Sequence, residues 1–293
     1  MNFDAAGKIA NAVLYEGYML YPYRPSALKN QQRWNFGTLY PAQFEEVRRG
    51  TERNCMHVEC LLQGDFKAPL GIRVRFLQLA NEGPQWNGCS EREIDFLAGP
   101  QPSPLRFGFP TNEGVLRGSL HVSAQALGDS LSKLSLDLIN ESQCEPSATR
   151  DKALASSLLS AHTILHFDSG EFISLLDPPS NLRKHASECR SIGCFPVLVG
   201  DQAQRNMLLC SPIILYDYPQ IAPESIGDFC DGTEMDEMLT LRVITMTSEE
   251  KAEMTAADNY ARSLLERTEQ TAREQLMRTH GTIRSMRPVN DHE

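Results

Sequence analysis

The stretch Cys55-Met56-His57-Val58-Glu59-Cys60 sets the fold class, because Met56, Val58 and Cys60 alternate with Cys55, His57 and Glu59. A period of two marks a strand with one buried face. The same alternation returns at Ile72, Val74 and Phe76 against Arg73, Arg75 and Leu77, and again at Leu134, Leu136 and Leu138. Val115 to Ala126 and Leu131 to Ile139 read as strands joined through Leu127-Gly128-Asp129-Ser130. Residues 51–146 are therefore expected to be a mainly β region, an antiparallel sheet folded over as a sandwich. Within it, residues 83–114 are rich in Gly and Pro and read as loop.

Beyond that region the pattern changes, and residues 147–246 read as an α/β region. Asp151 can cap a helix whose Leu154, Leu158, Ala161 and Leu165 form one stripe. Ile173 to Leu176 reads as a strand, Asp177-Pro178-Pro179-Ser180 as a helix start, and Gly193 as that helix's stop. Phe195 to Val199 and Met207 to Leu215 are further strands. Strand, helix, strand order over residues 171–199 predicts a small α/β unit sharing its core with the preceding sheet. Residues 247–293 form C-terminal helices and a tail. Thr247-Ser248-Glu249-Glu250 is a capping box, opening a helix through Met254, Ala257, Ala261, Leu264 and Leu265. A short second helix is expected around Gln275-Leu276-Met277. The fold class is thus α+β: an antiparallel β-sandwich-like sheet, a smaller α/β unit and a C-terminal helical segment.

With 293 residues the chain can bury a substantial core. Its formal charge of -10 argues against nucleic acid as a partner, since phosphates are repelled. There is no apolar run of about 18 residues, so no membrane insertion is expected. Eight cysteines without a basic leader followed by an apolar stretch point to reduced thiols and a cytoplasmic location.

Two stretches stand out as candidate sites. Residues 1–50 form an aromatic and basic arm, in which Tyr21, Tyr23, Arg24, Lys29, Arg33 and Trp34 are of the kinds that anchor interfaces. The same rings could instead pack across the domain. The other stretch is an acidic excursion over residues 216–238. It leaves the strand Met207 to Leu215 through Tyr216, Tyr218, Pro219 and Pro223, and returns as a strand at Leu239-Thr240-Leu241-Arg242-Val243-Ile244. Between Glu224 and Glu237 it carries six carboxylates and no Lys or Arg, a negative field suited to a cation or a basic surface. Tyr216 and Tyr218 join the arm residues as candidate partner contacts. Asp228, Cys230, Asp231 and Glu234 are the candidate metal ligands for an alternative reading as a metal-dependent enzyme or metal carrier.

Other chemistry finds less support. The carboxylates around Cys230 should raise its pKa, which is wrong for a sulfur nucleophile. There is no Gly-x-Ser-x-Gly elbow, no Walker loop and no Gly-x-Gly-x-x-Gly, and no cofactor is expected. Cys55 and Cys60, on one strand, would face opposite ways and lie about 16 Å apart, too far to share a zinc ion. Cys189 and Cys194 straddle a helix end, but two ligands are not a site. On a helix, His162 and His166 would share one side, although no Glu follows His162 as in zinc-binding helices.

Several strings taken together resemble an uncharacterised bacterial family associated with [NiFe]-hydrogenase gene clusters: Ala10-Asn11-Ala12-Val13-Leu14-Tyr15-Glu16-Gly17-Tyr18, Tyr21-Pro22-Tyr23-Arg24, Ser26-Ala27-Leu28-Lys29-Asn30, and Ser211-Pro212-Ile213-Ile214-Leu215-Tyr216-Asp217-Tyr218-Pro219-Gln220-Ile221-Ala222-Pro223-Glu224-Ser225. The resemblance implies a cytoplasmic accessory or assembly role, with a hydrogenase subunit or maturation protein as partner. It supplies no catalytic residues.

Overall fold

The computed structural model describes residues 3–15, 36–65, 67–79, 89–99, 104–111, 114–128, 130–221, 236–257 and 259–279. The helices are α1 (Asp4–Leu14), α2 (Glu45–Arg49), α3 (Arg150–Ala155), α4 (Arg183–Ser187), α5 (Asp236–Ile244), α6 (Ser248–Ala257) and α7 (Asn259–Thr279). The strands are β1 (Cys55–Gly64), β2 (Leu70–Leu79), β3 (Cys89–Ala98), β4 (Leu105–Thr111), β5 (Gly114–Ala126), β6 (Leu131–Asn140), β7 (Leu159–His166), β8 (Gly170–Ile173), β9 (Ser191–Ile192), β10 (Phe195–Leu198) and β11 (Met207–Ser211).

The strands form two antiparallel sheets. A six-stranded sheet runs β4-β5-β6-β1-β8, with β9 also paired to β1. A five-stranded sheet runs β10-β11-β7-β2-β3. Their facing surfaces share one core, to which Met56, Val58, Cys60, Leu134, Leu136, Leu138, Leu116 and Leu120 come from the first sheet. Ile72, Val74, Phe76, Leu165, Leu208 and Cys210 come from the second. The period of two thus carries the first sheet as expected, and the fold is α+β.

The five-stranded sheet is covered on its other side too. Phe3, at the N-cap of α1, and Ala6 and Ala10 on the helix pack on Ile164, Val197, Val199, Met207 and Leu209. Leu239, Val243, Met246, Met254, Ala261, Leu264 and Leu265 of the C-terminal helices share a cluster with Leu77, Leu79 and Leu159. Each large apolar side chain buried this way contributes about 1.5–3 kcal/mol. The protein is therefore layered as sheet, sheet, helices, with the five-stranded sheet in the middle.

That layering explains where the structure departs from the sequence reading. β7 is buried along its whole length, so Leu158, Ala161 and Leu165 belong to a bridge and a strand and not to a helical stripe. A strand buried on both faces has no alternation to betray it. The helix before it is only α3, and its cap is Thr149, whose side chain accepts from the Lys152 N–H, rather than Asp151. Residues 83–114 are not mostly loop, because β3 and β4 lie there. The acids of β3 hid its strand character. Glu93 and Asp95 pair with Arg73, and Glu91 and Glu93 with Arg75, across the β2–β3 register. Pro110 is tolerated because β4 is an edge strand.

The return from the acidic excursion is helix α5, not a strand. Its β-branched residues suggested a strand, but Leu239 and Val243, four apart, bury together against the C-terminal helices, and packing overrides propensity. Strand, helix, strand order does occur between residues 170 and 198, but β8 extends the six-stranded sheet and β10 the five-stranded one. α4 ends at Ser187, and Gly193, at φ 78°, makes the turn from β9 into β10. The capping box forms as read: Thr247 N–H donates to Glu250 Oε2 at 2.9 Å and Glu250 N–H to Thr247 Oγ1 at 3.2 Å. α7 then runs unbroken over 21 residues where a shorter second helix was expected.

Candidate functional site

Of the acidic excursion, residues 216–221 and 236–238 are described, the latter opening α5; the root, with residues 212–215 that lead into it, takes its shape from the local sequence. Ser211 Oγ accepts from the Ile213 N–H at 3.1 Å, turning the chain away from β11. Asp217 then grips two elements at once. Its Oδ1 accepts from the Leu198 N–H at 2.8 Å, and its Oδ2 accepts from Ser174 Oγ at 2.5 Å. Ser174 Oγ in turn accepts from the Leu176 and Asp177 N–H groups. The next residue, Tyr218, adopts φ 55°, and its N–H donates to the Leu198 carbonyl at 2.7 Å. A left-handed aromatic residue is costly and persists only where its surroundings hold it.

Tyr218 packs its ring against the shared core. Burial pushes its phenol pKa up, against the pull of the Arg205 guanidinium. The neighbouring side chains point the other way: Ile214 is 75 % exposed, Tyr216 61 % and Ile221 50 %. Tyr216 keeps its hydroxyl on the Gln220 N–H at 3.4 Å, so its ring is held in place while its faces stay wet. Large apolar groups that stay exposed on a fixed backbone are interface material.

Of the candidate partner contacts, Tyr216 and Tyr218 thus fall together, Tyr216 exposed and Tyr218 half-buried. Tyr21, Tyr23, Arg24, Lys29, Arg33 and Trp34 lie outside the described residues, as do the candidate metal ligands Asp228, Cys230, Asp231 and Glu234.

His162 and His166 both sit on β7 and not on a helix. Four residues along a strand are about 13 Å, so the pair does not share an ion. His162 is fully buried. Its Nδ1 lies 2.7 Å from the Ser160 carbonyl and its Nε2 3.2 Å from Ser211 Oγ, so it is a satisfied structural histidine. Burial, helped by Arg75, pulls its pKa down to about 4. Cys55 and Cys60 do face opposite ways along β1, the first half-buried and the second buried.

Sequence reasoning missed three arrangements. Arg75, 7 % exposed, bonds the Gly7 carbonyl and Asn11 as well as its β3 acids, and so ties α1 to the sheet. A shallow cavity of about 370 Å³ is lined by Phe44, Glu45, Glu46, Thr51, Glu52, Ala148 and Arg150. Its carboxylates are already engaged, Glu45 with Arg49, Glu46 with Thr51 and Glu52 with Arg150. The third arrangement is on the outer face of the six-stranded sheet, away from the end that α4 covers, where His57 Nδ1 and Asp137 Oδ1 are 2.7 Å apart and Cys55 Sγ lies 3.8 Å from the same oxygen. As the side chains stand, no three His, Cys, Asp or Glu among the described residues surround a point suited to a metal ion.

No protein-family model matches the chain, and no curated protein matches it. Among the described residues no helix is long and apolar enough to cross a membrane.

Proposed function

We propose that the protein is a non-catalytic accessory or assembly factor that docks another protein through the root of its acidic excursion. The observation that supports this is the clamp at Asp217, which holds Ile214, Tyr216 and Ile221 exposed on a fixed backbone. Presenting apolar groups already ordered spares the entropy of fixing them on binding. The acidic residues that follow in the sequence add a field that would steer a basic partner surface. The resemblance supplies the first partner to try, a [NiFe]-hydrogenase subunit or maturation protein.

Co-purification with tagged hydrogenase components tests the reading directly. Ile214→Asp combined with Tyr216→Ala is expected to weaken capture at least about tenfold, the loss of one ordinary interface anchor. Charge reversal at Arg24, Lys29 and Arg33 reports separately on the arm. Capture that survives the Ile214 and Tyr216 changes intact rejects the root as the docking surface.

A further inference from the structure

Three strands of the six-stranded sheet bring four donor side chains to one place on its outer face, away from the cluster of Leu61, Ile173 and Ala186. His57 in β1 stands opposite Asp137 in β6, and Asp137 stands opposite His121 in β5. Cys55 precedes His57 by two residues and so shares its face. The neighbours Met56, Val58, Leu136, Leu138, Leu120 and Val122 are all in the core, which turns this row outward. It is reachable: His57 is 25 % exposed, Asp137 39 %, and His121 is exposed with its Nε2 3.2 Å from Ser119 Oγ.

We propose that this row is a mononuclear site for a divalent transition-metal ion of the zinc or cobalt type, held by Cys55 Sγ, His57 Nδ1 and Asp137, with His121 as the fourth ligand. Without an ion, His57 Nδ1 and Asp137 Oδ1 share a proton at 2.7 Å. An ion in place of that proton needs bonds of about 2.0–2.2 Å, which opens the gap to roughly 3.3 Å at a tetrahedral angle. The 3.8 Å between Cys55 Sγ and Asp137 Oδ1 is already close to what two ligands of one such ion require.

His121 has to leave Ser119 and turn toward Asp137. Its strand is the next one over, about 4.8 Å away, so a side-chain rotation suffices and the backbone stays fixed. A Cys, His, Asp, His set mixes sulfur, nitrogen and oxygen, which suits zinc or cobalt and not calcium or magnesium, whose ligands are oxygens. Binding through Nδ1 moves the proton that a neutral His57 holds toward Asp137 to Nε2, and the Cys55 thiol proton goes to solvent.

The register distinguishes this arrangement from scattered polar residues on a wet surface. An ordinary outward row needs neither two imidazoles facing one carboxylate from both sides nor a thiol on its flank. The site is also separate from Asp228, Cys230, Asp231 and Glu234.

Titration of the untagged, reduced full chain with Co²⁺, followed by competition with Zn²⁺, decides the matter. One equivalent of cobalt is expected, with a sulfur-to-cobalt charge-transfer band in the near ultraviolet that Zn²⁺ erases. Cys55→Ala should abolish that band, and His57→Gln or His121→Ala should weaken binding at least about tenfold, as loss of a metal ligand does. Cys230→Ser should leave both unchanged. Circular dichroism of each variant confirms that the sheet is intact. The proposal is overturned if no cobalt is taken up, if Cys55→Ala and His57→Gln bind as the parent does, or if Cys230→Ser removes the band.

Discussion

The two sheets share a core but differ in what lies on their second face. The six-stranded sheet is covered on its outer face at the β1–β8 end, where Leu61 and Ile173 pack with Ala186 of α4, while β6 reads as an alternation of half-buried and buried residues along most of its length. The five-stranded sheet is sandwiched, and β7 and β11 are buried from end to end. The difference shows how burial on both faces erases the sequence signal and raises the cost of every polar group present. His162, Arg75, Thr163 and Ser211 are all in the middle sheet, each buried. The row at His57, Asp137 and His121 is on the wet face of the other, where polar residues cost little.

Substitutions should separate the two sheets by size of effect. Phe76→Ala, at the interface of the sheets and fully buried, is expected to cost about 3–5 kcal/mol in urea unfolding. Ser123→Ala, on the open face of β5, should stay within about 0.5 kcal/mol. Comparable losses for the two would erase the distinction between the shared core and the exposed part of the outer face.

Acid should act on the middle sheet. His162 titrates near 4 when folded and near 6.5 when unfolded, so in that window the unfolded chain binds the extra proton. Its contribution is complete above the unfolded value and is lost as pH falls toward about 4. The loss should reach about 3 kcal/mol, measured by urea midpoints across pH, and His162→Gln should flatten that part of the profile. An unchanged profile in the variant would place the acid sensitivity elsewhere.

A smaller effect is expected at the excursion root. Asp217→Ala removes the acceptor for both Ser174 and Leu198, and a charged acceptor of this kind is worth about 1.5–3 kcal/mol. Amide exchange should accelerate at Leu198 and Tyr218 before it does in β7. Uniform acceleration across both sheets would show that the root is no separate unit.

Much of the β architecture was legible in the sequence, because β1, β5 and β6 carry alternation that only a one-sided strand needs. β7 was not, since Leu159 to His166 is buried on both faces whatever its polarity, and Leu154, Leu158, Ala161 and Leu165 fit a helical stripe as well. β3 was hidden by Glu91, Glu93 and Asp95, whose Arg partners sit on another strand. α5 was misread because Thr240, Val243 and Ile244 favour strands locally, while contact with Met254 and Leu264 is made far along the chain. The exposed tyrosine at the excursion root could be picked out by residue type and the prolines nearby. Its support could not, because Asp217 acts through Ser174, 43 residues away. The row at Asp137 depends on register with His57, 80 residues away, which no spacing along the chain discloses.

The clamp at Asp217 and Tyr218 also settles how β10 ends its sheet. Both backbone groups of Leu198 are occupied by the root of the excursion, and Pro196, the other residue turned the same way, has no N–H to give. A second polypeptide sliding alongside β10 would therefore meet no donor to pair with. This border of the five-stranded sheet is closed by the protein's own chain, which guards against the sticking and fibre growth that bare sheet margins invite.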